Sequence, residues 1–255
     1  MATRIHVFII FSRFWNACVQ FHYNTASIRT CALNILAFDT SNEYCSIALL
    51  SGGSVIEREE LAGQNHSEMI LPMIRDVLLE AALPLKELDG IAFGSGPGSF
   101  TGLRIACGVA QGLAFGAGLR VAGIGTLEAL AEAASFPRIL ACLDARMGEI
   151  YHAAFERIEG VLHCVSEPGL YFPEDAPLLP GEGWKGCGSG FLVHQEALAA
   201  RYAGKLGCLE SESRPHAREM ARLAALEFDA GRAVDPEFAM PLYVRNKVAL
   251  KEKER

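Results

Sequence analysis

The stretch Ile91–Gly118 limits the folds open to this 255-residue chain more than any other part of it. It predicts a buried strand (Ile91–Phe93), a glycine-rich turn (Gly94–Gly102) and a helix without a charged residue after Arg104. A helix that is apolar on nearly every side must be buried, in its own chain or against another. The chain therefore needs a sheet, a partner or both to cover this helix.

The glycine-rich turn, GSGPGSFTG, matches neither common nucleotide-binding pattern. Ser99 replaces the third glycine of G-x-G-x-x-G, and no lysine follows the last glycine as G-x-x-x-x-G-K-[ST] requires. Backbone N–H groups at the start of the helix could hold an anion. We favour a tight turn that sets the helix closely on its sheet, since glycine permits positive φ and close approach. The glycines with this predicted structural role are Gly94, Gly96, Gly98 and Gly102.

Composition and charge exclude several function classes. The formal net charge is −7, although the first 32 residues carry three arginines and no acidic residue. Nucleic-acid affinity depends on neutralising phosphates, so this acidic body would need a basic partner to work on RNA. No apolar run reaches the ~18 residues that can span a membrane. Eight scattered cysteines without a C-x-x-C pair indicate reduced thiols and a cytoplasmic protein.

Residues 1–32 differ from the rest of the chain. They are rich in aromatic residues, lack acids and show no periodicity. Their spread arginines faintly resemble a transit peptide. We instead expect the natural start to lie at Leu33, which makes residues 1–32 a non-native extension without a fold.

From Asn34 onwards the chain predicts the order β-β-β-α-β-α-β-α, followed by a partial repetition. Asn65 and Glu68 predict a capping box at the first helix, Pro72 a kink within it, and Thr126 the N-cap of a later short helix. The predicted elements are strands 35–38, 44–50, 55–61, 90–93 and 120–124 with helices 65–83, 102–118 and 126–134, then strands 139–144, 149–156 and 161–165 with helices 192–202 and 216–231 and a loop near 208.

Two strands that end in aspartate suggest an internal repeat. The sequence Ile139–Asp144 resembles Ile35–Asp39, and a predicted hairpin follows each. A duplicated unit would place Asp39 and Asp144 at the ends of equivalent strands, facing each other across a cleft. The predicted division is an N-terminal lobe (33–134, which helix 216–231 could complete), a smaller second lobe (135–214) and a C-terminal tail (232–255).

Asp39, with Thr40 and Ser41 beside it, and Asp144 are the candidate nucleotide ligands. Two aspartates across a cleft could hold Mg²⁺ through water and orient a triphosphate. Alternatively, each could cap the turn at its strand end. Phosphate-cradling turns need several small residues beside the aspartate, whereas charged and bulky residues follow both aspartates here. We favour a degenerate nucleotide cleft.

The two apolar helices predict a partner surface. Helices 65–83 and 102–118 carry apolar residues on more than one face, whereas a helix on an open sheet buries only one. His66 has no second histidine at a ligand spacing, so a metal site is not expected. The residues predicted to meet a partner include a ridge of alanines spaced four apart, and they are His66, Met69, Ile70, Met73, Val77, Leu103, Ala106, Ala110, Leu113 and Ala114.

Several motifs taken together resemble one known family. Over Asn34–Val248 the chain is identified as a member of the TsaB family, also called YeaZ, and GPGSFTGLR and DARMGE are its most specific motifs. The motifs that carry the resemblance are ILAFDTS ending at Ser41, His66-Ser67-Glu68, GSGPGSFTGLR ending at Arg104, Thr126-Leu127, DARMGEIY from Asp144 and the closing Tyr243-Val244-Arg245.

The resemblance implies an α/β protein of the actin/sugar-kinase-like (ASKHA) fold, with two RNase H-like lobes and mixed sheets. It implies a non-catalytic subunit in the synthesis of N6-threonylcarbamoyladenosine, on the tRNA adenosine 3′ of the anticodon. A TsaD-like paralogue would transfer the group and hold the metal, and a TsaE-like ATPase would use ATP, so no cofactor is expected here. The heterodimer contact would use the first two helices. The isolated chain could form a homodimer, and tRNA would be met only through the complex.

Two other functions stay open at this point. A stand-alone ATPase or small-molecule kinase of the same fold would use Asp39 and Asp144 with Mg²⁺. A peptidase is disfavoured, because the sequence offers no metal site and no arrangement of nucleophile and base that spacing supports.

Overall fold

The computed structural model describes residues 33–244. The predicted extension over 1–32 and the end of the predicted tail, 245–255, lie outside the described residues. Two five-stranded mixed sheets form the centre of the protein, and helices flank both of them. The predicted α/β class and ASKHA-type fold are thereby confirmed. Within the described range, no helix is both long and apolar enough to cross a bilayer.

The strands and helices follow in this order along the described chain. The strands are β1 (Ile35–Asp39), β2 (Tyr44–Ser51), β3 (Ser54–Leu61), β4 (Gly90–Gly96), β5 (Arg120–Gly125), β6 (Arg138–Asp144), β7 (Ile150–Ile158), β8 (Val161–Tyr171), β9 (Trp184–Cys187) and β10 (Leu206–Glu210). The α-helices are α1 (His66–Glu80), α2 (Phe100–Ala117), α3 (Thr126–Ala134), α4 (Gly190–Val193), α5 (Gln195–Arg201) and α6 (Ala217–Asp229).

The two sheets have the same construction, which confirms the predicted repeat. β1 pairs antiparallel with β2 and parallel with β4, and β6 pairs antiparallel with β7 and parallel with β9. The strand orders β3-β2-β1-β4-β5 and β8-β7-β6-β9-β10 are therefore equivalent. Asp39 ends β1 and Asp144 ends β6, so the two aspartates occupy the same place in their sheets.

Helices cover both faces of the first sheet. Leu36 and Phe38 of β1 pack with α1 and α2, whereas Ile35 and Ala37 pack with α6. The reason is that successive residues of a strand point to opposite faces. The helix predicted over 216–231 therefore covers the first sheet, although it follows the second sheet in sequence.

Several predicted details at helix ends are wrong. α1 ends at Glu80 instead of near residue 83, and Asn65 makes no side-chain capping bond, so the predicted capping box is absent. The helix predicted over 126–134 is present, but its N-cap residue is Gly125. Thr126 is the first helical residue, and its Oγ1 donates a hydrogen bond to Pro97 O in the glycine-rich turn. The hydroxyl group that was predicted to cap the helix therefore bonds to a residue distant in sequence instead.

The second lobe also differs from the prediction in its later part. The helix predicted over 192–202 is two short helices, α4 and α5, which meet at His194. The predicted loop near Cys208 is part of strand β10, and β9 lies between residues 165 and 192, where no strand was predicted. Strands of four and five residues are too short to show a hydrophobic period.

Candidate functional site

Asp39 lies at the carboxyl end of β1 and is completely buried. Its Oδ2 accepts hydrogen bonds from Ser41 Oγ (2.7 Å) and Asn42 Nδ2 (3.2 Å). Its Oδ1 is buried and has no hydrogen-bond partner among the described residues. Burial raises the pKa of Asp39 to about 6, against the opposing effect of the Ser41 hydrogen bond. The carboxyl group therefore titrates in the mildly acidic range.

The glycine-rich turn packs directly on the Asp39 turn, which comprises Asp39, Thr40 and Ser41. Thr40 Oγ1 donates to Gly102 O (2.7 Å), and Ser99 N donates to Ser41 O (2.7 Å). Gly102 N, at the start of α2, donates to Ser99 Oγ (3.3 Å). The N–H groups of Ser99 and Gly102 thus form hydrogen bonds within the chain. The glycine-rich turn therefore packs over the Asp39 turn and does not present these two groups to an anion.

Close approach explains the glycines of this turn. Gly94 and Gly96 belong to β4, so the strand extends further than predicted. A Cβ atom at Gly94 would lie 1.9 Å from Asp39 Oδ1, and one at Gly98 would lie 2.7 Å from Ser41 Cβ. The structure thus brings three of the predicted structural glycines, Gly94, Gly98 and Gly102, against the Asp39 turn. Asp144, the other predicted nucleotide ligand, is not part of this packed unit.

The residues around Asp39 do not fit a magnesium nucleotide. One carboxylate oxygen accepts bonds from Ser41 and Asn42, and the other faces Gly94 at a distance that leaves no space even for a methyl group. Mg²⁺ demands near-octahedral oxygen ligands and keeps several waters. Across the described residues, no group of three or more His, Cys, Asp or Glu side chains could hold a metal ion.

Asp144, the equivalent aspartate of the second sheet, lies in a separate polar cluster. Its N–H donates to Ser189 Oγ (3.1 Å), and its Oδ1 accepts from Arg146 N (3.0 Å) and lies 3.4 Å from His194 Nε2. In the sequence, His194 is far from any other candidate ligand. Its place beside Asp144 depends on the break between α4 and α5, which no sequence signal revealed.

Arg146 connects the turns that follow the two aspartates. Its guanidinium lies 3.3 Å from Asp144 Oδ2 and 3.8 Å from Oε1 of Glu43, which follows the Asp39 turn. Arg146 and Met147 both have positive φ, 63° and 56°, a conformation that costs roughly 1–2 kcal/mol for each non-glycine residue. The two turns therefore meet through a charged, strained segment and not through an open phosphate cradle.

Most residues predicted to meet a partner are buried against the first sheet of the same chain. The alanine ridge of Ala106, Ala110 and Ala114 has no exposed surface. The prediction that this ridge forms a surface is therefore wrong, because its small side chains let α2 pack closely on its own sheet. Of the other predicted residues, Met69 and Leu113 are partly buried, and those that are buried are His66, Ile70, Met73, Val77 and Leu103.

The exposed face of α2 carries a different row of small residues. Gly108, Gly112 and Gly116 are spaced four apart, and a Cβ atom at any of them would have no atom of residues 33–244 within 4 Å. Phe115, next to this row, is 80% exposed. A glycine inside a helix costs about 1 kcal/mol relative to alanine. The three glycines therefore lower the stability of α2 in the isolated chain.

α1 adds apolar residues to the same side of the protein. Leu71 and Leu79 are 51% and 70% exposed, and both line a groove of about 620 Å³ whose lining includes Leu78, Leu83 and Leu113. This groove lies between the end of α1 and α2. We call the exposed faces of the two helices the α1–α2 surface, which comprises Leu71, Leu79, Gly108, Gly112, Phe115 and Gly116.

The last described residues lie along one flank of α2. Ala239 O accepts a hydrogen bond from Gln111 Nε2 (3.0 Å), and Tyr243 OH accepts one from Arg104 Nε (3.0 Å). This segment covers part of α2 but leaves the glycine row open.

Sequence comparison places this geometry among known proteins. A family model described as "TsaD: tRNA N6-adenosine threonylcarbamoyltransferase" matches residues 54–181. The chain is 38% identical over 234 residues to the "tRNA threonylcarbamoyladenosine biosynthesis protein TsaB" of Escherichia coli (strain K12), which covers 86% of this chain and 98% of that protein. The Haemophilus influenzae protein of the same name is 37% identical over 237 residues, with coverages of 86% and 97%.

Two solved structures agree with this similarity. One, described as "an uncharacterized protein with similarity to peptidase YEAZ from Pseudomonas aeruginosa", has a TM-score of 0.78 at 35% identity and covers 84% of this chain and all of that one. The other, "YeaZ from Pseudomonas aeruginosa", has a TM-score of 0.77 at 36% identity, with coverages of 83% and 99%. The identity extends over nearly the full length of these relatives, and this chain therefore belongs to the TsaB (YeaZ) family.

Proposed function

We propose that this protein is the TsaB-type subunit of a cytoplasmic machinery that forms N6-threonylcarbamoyladenosine in tRNA. The names of its curated relatives specify that biosynthesis. In this proposal the chain is not catalytic by itself. It binds a TsaD-like transferase, which holds the metal, and supports the recruitment of a TsaE-like ATPase, which uses ATP.

The open glycine row on α2 is the observation that carries the proposal. The distance between packed helices depends on the side chains at their contact, so Gly108, Gly112 and Gly116 would let a partner helix come close. Covering the row would also bury Phe115 and Leu79, at roughly 25 cal/mol for each Å² of apolar surface removed from water. The free energy gained by burying this surface against a partner would thus offset the cost of placing three glycines in a helix.

The closed Asp39 turn supports a non-catalytic subunit over a stand-alone ATPase or kinase. A kinase of this fold would need the carboxylate of Asp39 open to Mg²⁺ and a nucleotide. In this chain the carboxylate is buried, and the glycine-rich turn is hydrogen-bonded to the residues beside it. In this proposal the partner subunits use the ATP and hold the metal.

The substitution Gly112→Leu tests the proposed contact. Its side chain enters open space in the isolated chain, so the fold is expected to be retained while a partner helix is held away. The dissociation constant for the TsaD-like paralogue, measured by calorimetry, should rise at least about tenfold, as for a residue at the centre of an interface. Phe115→Asp, which places a charge beside the row, should act in the same direction.

Arg222→Leu is the matched control, because it adds a leucine at an exposed position of α6, on the opposite face of the first sheet. It should leave the affinity unchanged within about twofold, as surface substitutions outside an interface usually do. Unchanged binding of both Gly112→Leu and Phe115→Asp would reject the α1–α2 surface as the contact. Failure of the unmodified chain to bind the paralogue would reject the proposed function itself. Substituting a charged residue for Ala110 or Met73 would disturb the core of the chain itself, because both side chains are buried. Such variants would not test the contact with a partner.

A further inference from the structure

A stack of aromatic rings and an arginine lies at the start of α2. The Cζ atom of Arg104 is 3.8 Å from the centre of the Phe100 ring and 5.9 Å from that of Tyr243. The two rings are 37% and 44% exposed, and their centres are 5.5 Å apart. Together with the bond from Arg104 Nε to Tyr243 OH, these contacts hold a guanidinium group beside two partly exposed rings.

Arg104 differs from nearly every other arginine of the described chain in its electrostatic surroundings. Among the arginines between residues 33 and 244, only Arg104 and Arg201 have no Asp or Glu oxygen within 4.0 Å. Arg201 is instead directed to a backbone carbonyl, Ala176 O, at 2.7 Å. Arg104 is therefore an exposed positive charge without an acidic neighbour among residues 33–244, in a chain whose formal net charge is −7.

The sequence beyond the stack adds positive charge. Residues 245–255, which lie outside the described range, contain five Lys or Arg residues and two Glu residues. The exposed guanidinium of Arg104 favours an anionic ligand at the stack. The carboxylates of an acidic peptide would pair with the guanidinium of Arg104 but would not stack on the rings of Phe100 and Tyr243. Unpaired RNA bases stack on aromatic rings and on arginine planes, and RNA phosphates pair with basic residues, so RNA uses both features.

The position of the stack relates it to the proposed partner contact. Arg104 precedes Gly108 by the same spacing of four that continues along the glycine row, so it lies at the end of the α1–α2 surface. A transferase bound on that surface would therefore lie next to the stack. We propose that Phe100, Arg104 and Tyr243 form a base-stacking and phosphate-binding site for tRNA that acts within the complex. This inference rests on the proposed function.

The test measures tRNA binding by the full-length chain in complex with its TsaD-like paralogue. The probe is an unmodified transcript of a tRNA with an adenosine 3′ of the anticodon, and fluorescence anisotropy at several salt concentrations gives the dissociation constant. Arg104→Gln should raise that constant about tenfold, the loss typical of one stacked base. It should also reduce the slope of log K against log salt by about one, since one phosphate contact is lost.

Arg104→Lys separates stacking from charge. A lysine keeps the positive charge but lacks the planar guanidinium group, so the salt slope should be retained while affinity still falls. Tyr243→Phe keeps the ring and removes only the hydroxyl that accepts from Arg104, so its affinity should stay close to that of the unmodified chain. Arg222→Gln, which changes an exposed arginine on α6, controls for the loss of one positive charge and should have no effect.

Three results would overturn the inference. The first is a complex that forms normally and binds tRNA equally well with Arg104→Gln, which rejects the stack but leaves the proposed function intact. The second is an equal loss for Arg104→Gln and Arg222→Gln, which indicates general charge attraction. The third is loss of the protein complex itself in Arg104→Gln, which assigns the stack to the protein interface.

Discussion

Gly102→Ala is expected to destabilise the protein by about 3 kcal/mol or more, at the upper end of what overpacking costs. A Cβ atom at this position would lie 1.8 Å from Thr40 O and 2.9 Å from Thr40 C. Both are backbone atoms and cannot rotate away, so the start of α2 must move off the Asp39 turn. That movement would also break the hydrogen bond from Thr40 Oγ1 to Gly102 O.

Gly108→Ala on the same helix is the matched control, and it should change the free energy of unfolding in the opposite direction. Its Cβ atom would meet no atom of the described part of the chain within 4 Å, so the alanine is expected to stabilise the isolated chain by up to about 1 kcal/mol through helix propensity. Urea denaturation followed by circular dichroism gives both free energies of unfolding. Similar values for the two variants would contradict the close contact between α2 and the Asp39 turn.

Asp39→Asn is expected to gain stability relative to the unmodified protein as the pH rises. Burial raises the pKa of Asp39 from 3.8 to about 6 in the folded state, so between these two values the folded state binds more protons than the unfolded state. The free energy of unfolding therefore falls as the pH rises through this window. At 1.36 kcal/mol per pKa unit, the fall attributable to Asp39 is about 3 kcal/mol.

The difference in free energy of unfolding between the unmodified protein and Asp39→Asn isolates the contribution of Asp39. His216 and Glu59 also act electrostatically on Asp39, but both are present in the variant. Urea denaturation of each protein between about pH 4 and pH 8 should give a difference that grows in favour of the Asp39→Asn variant up to about pH 6 and is constant above it. A difference that does not change with pH would mean that folding does not raise the pKa of Asp39, which would contradict the expected shift.

Much of the fold can be predicted from local sequence patterns. The two strands ending in Asp39 and Asp144, each followed by a hairpin, reveal the repeat because strand and turn signals depend on a few neighbouring residues. Gly94, Gly98 and Gly102 are recognisable as structural glycines for the same reason. Helix ends are less predictable, because Thr126 bonds to Pro97 O, a partner distant in sequence, and no local rule includes that contact.

The candidate site shows where local patterns stop being sufficient. The sequence alone determined that α2 is apolar, that small residues recur along it every four positions, and that motifs such as GPGSFTGLR and DARMGE resemble those of one known family. It contains two such rows, however, one of alanines and one of glycines, and both have the helical period. Only the tertiary structure decided that Ala106, Ala110 and Ala114 lie against the first sheet and that Gly108, Gly112 and Gly116 face outwards. The physical reason is that the position of the first sheet fixes the rotation of α2 about its axis, and that position depends on contacts between residues far apart in sequence.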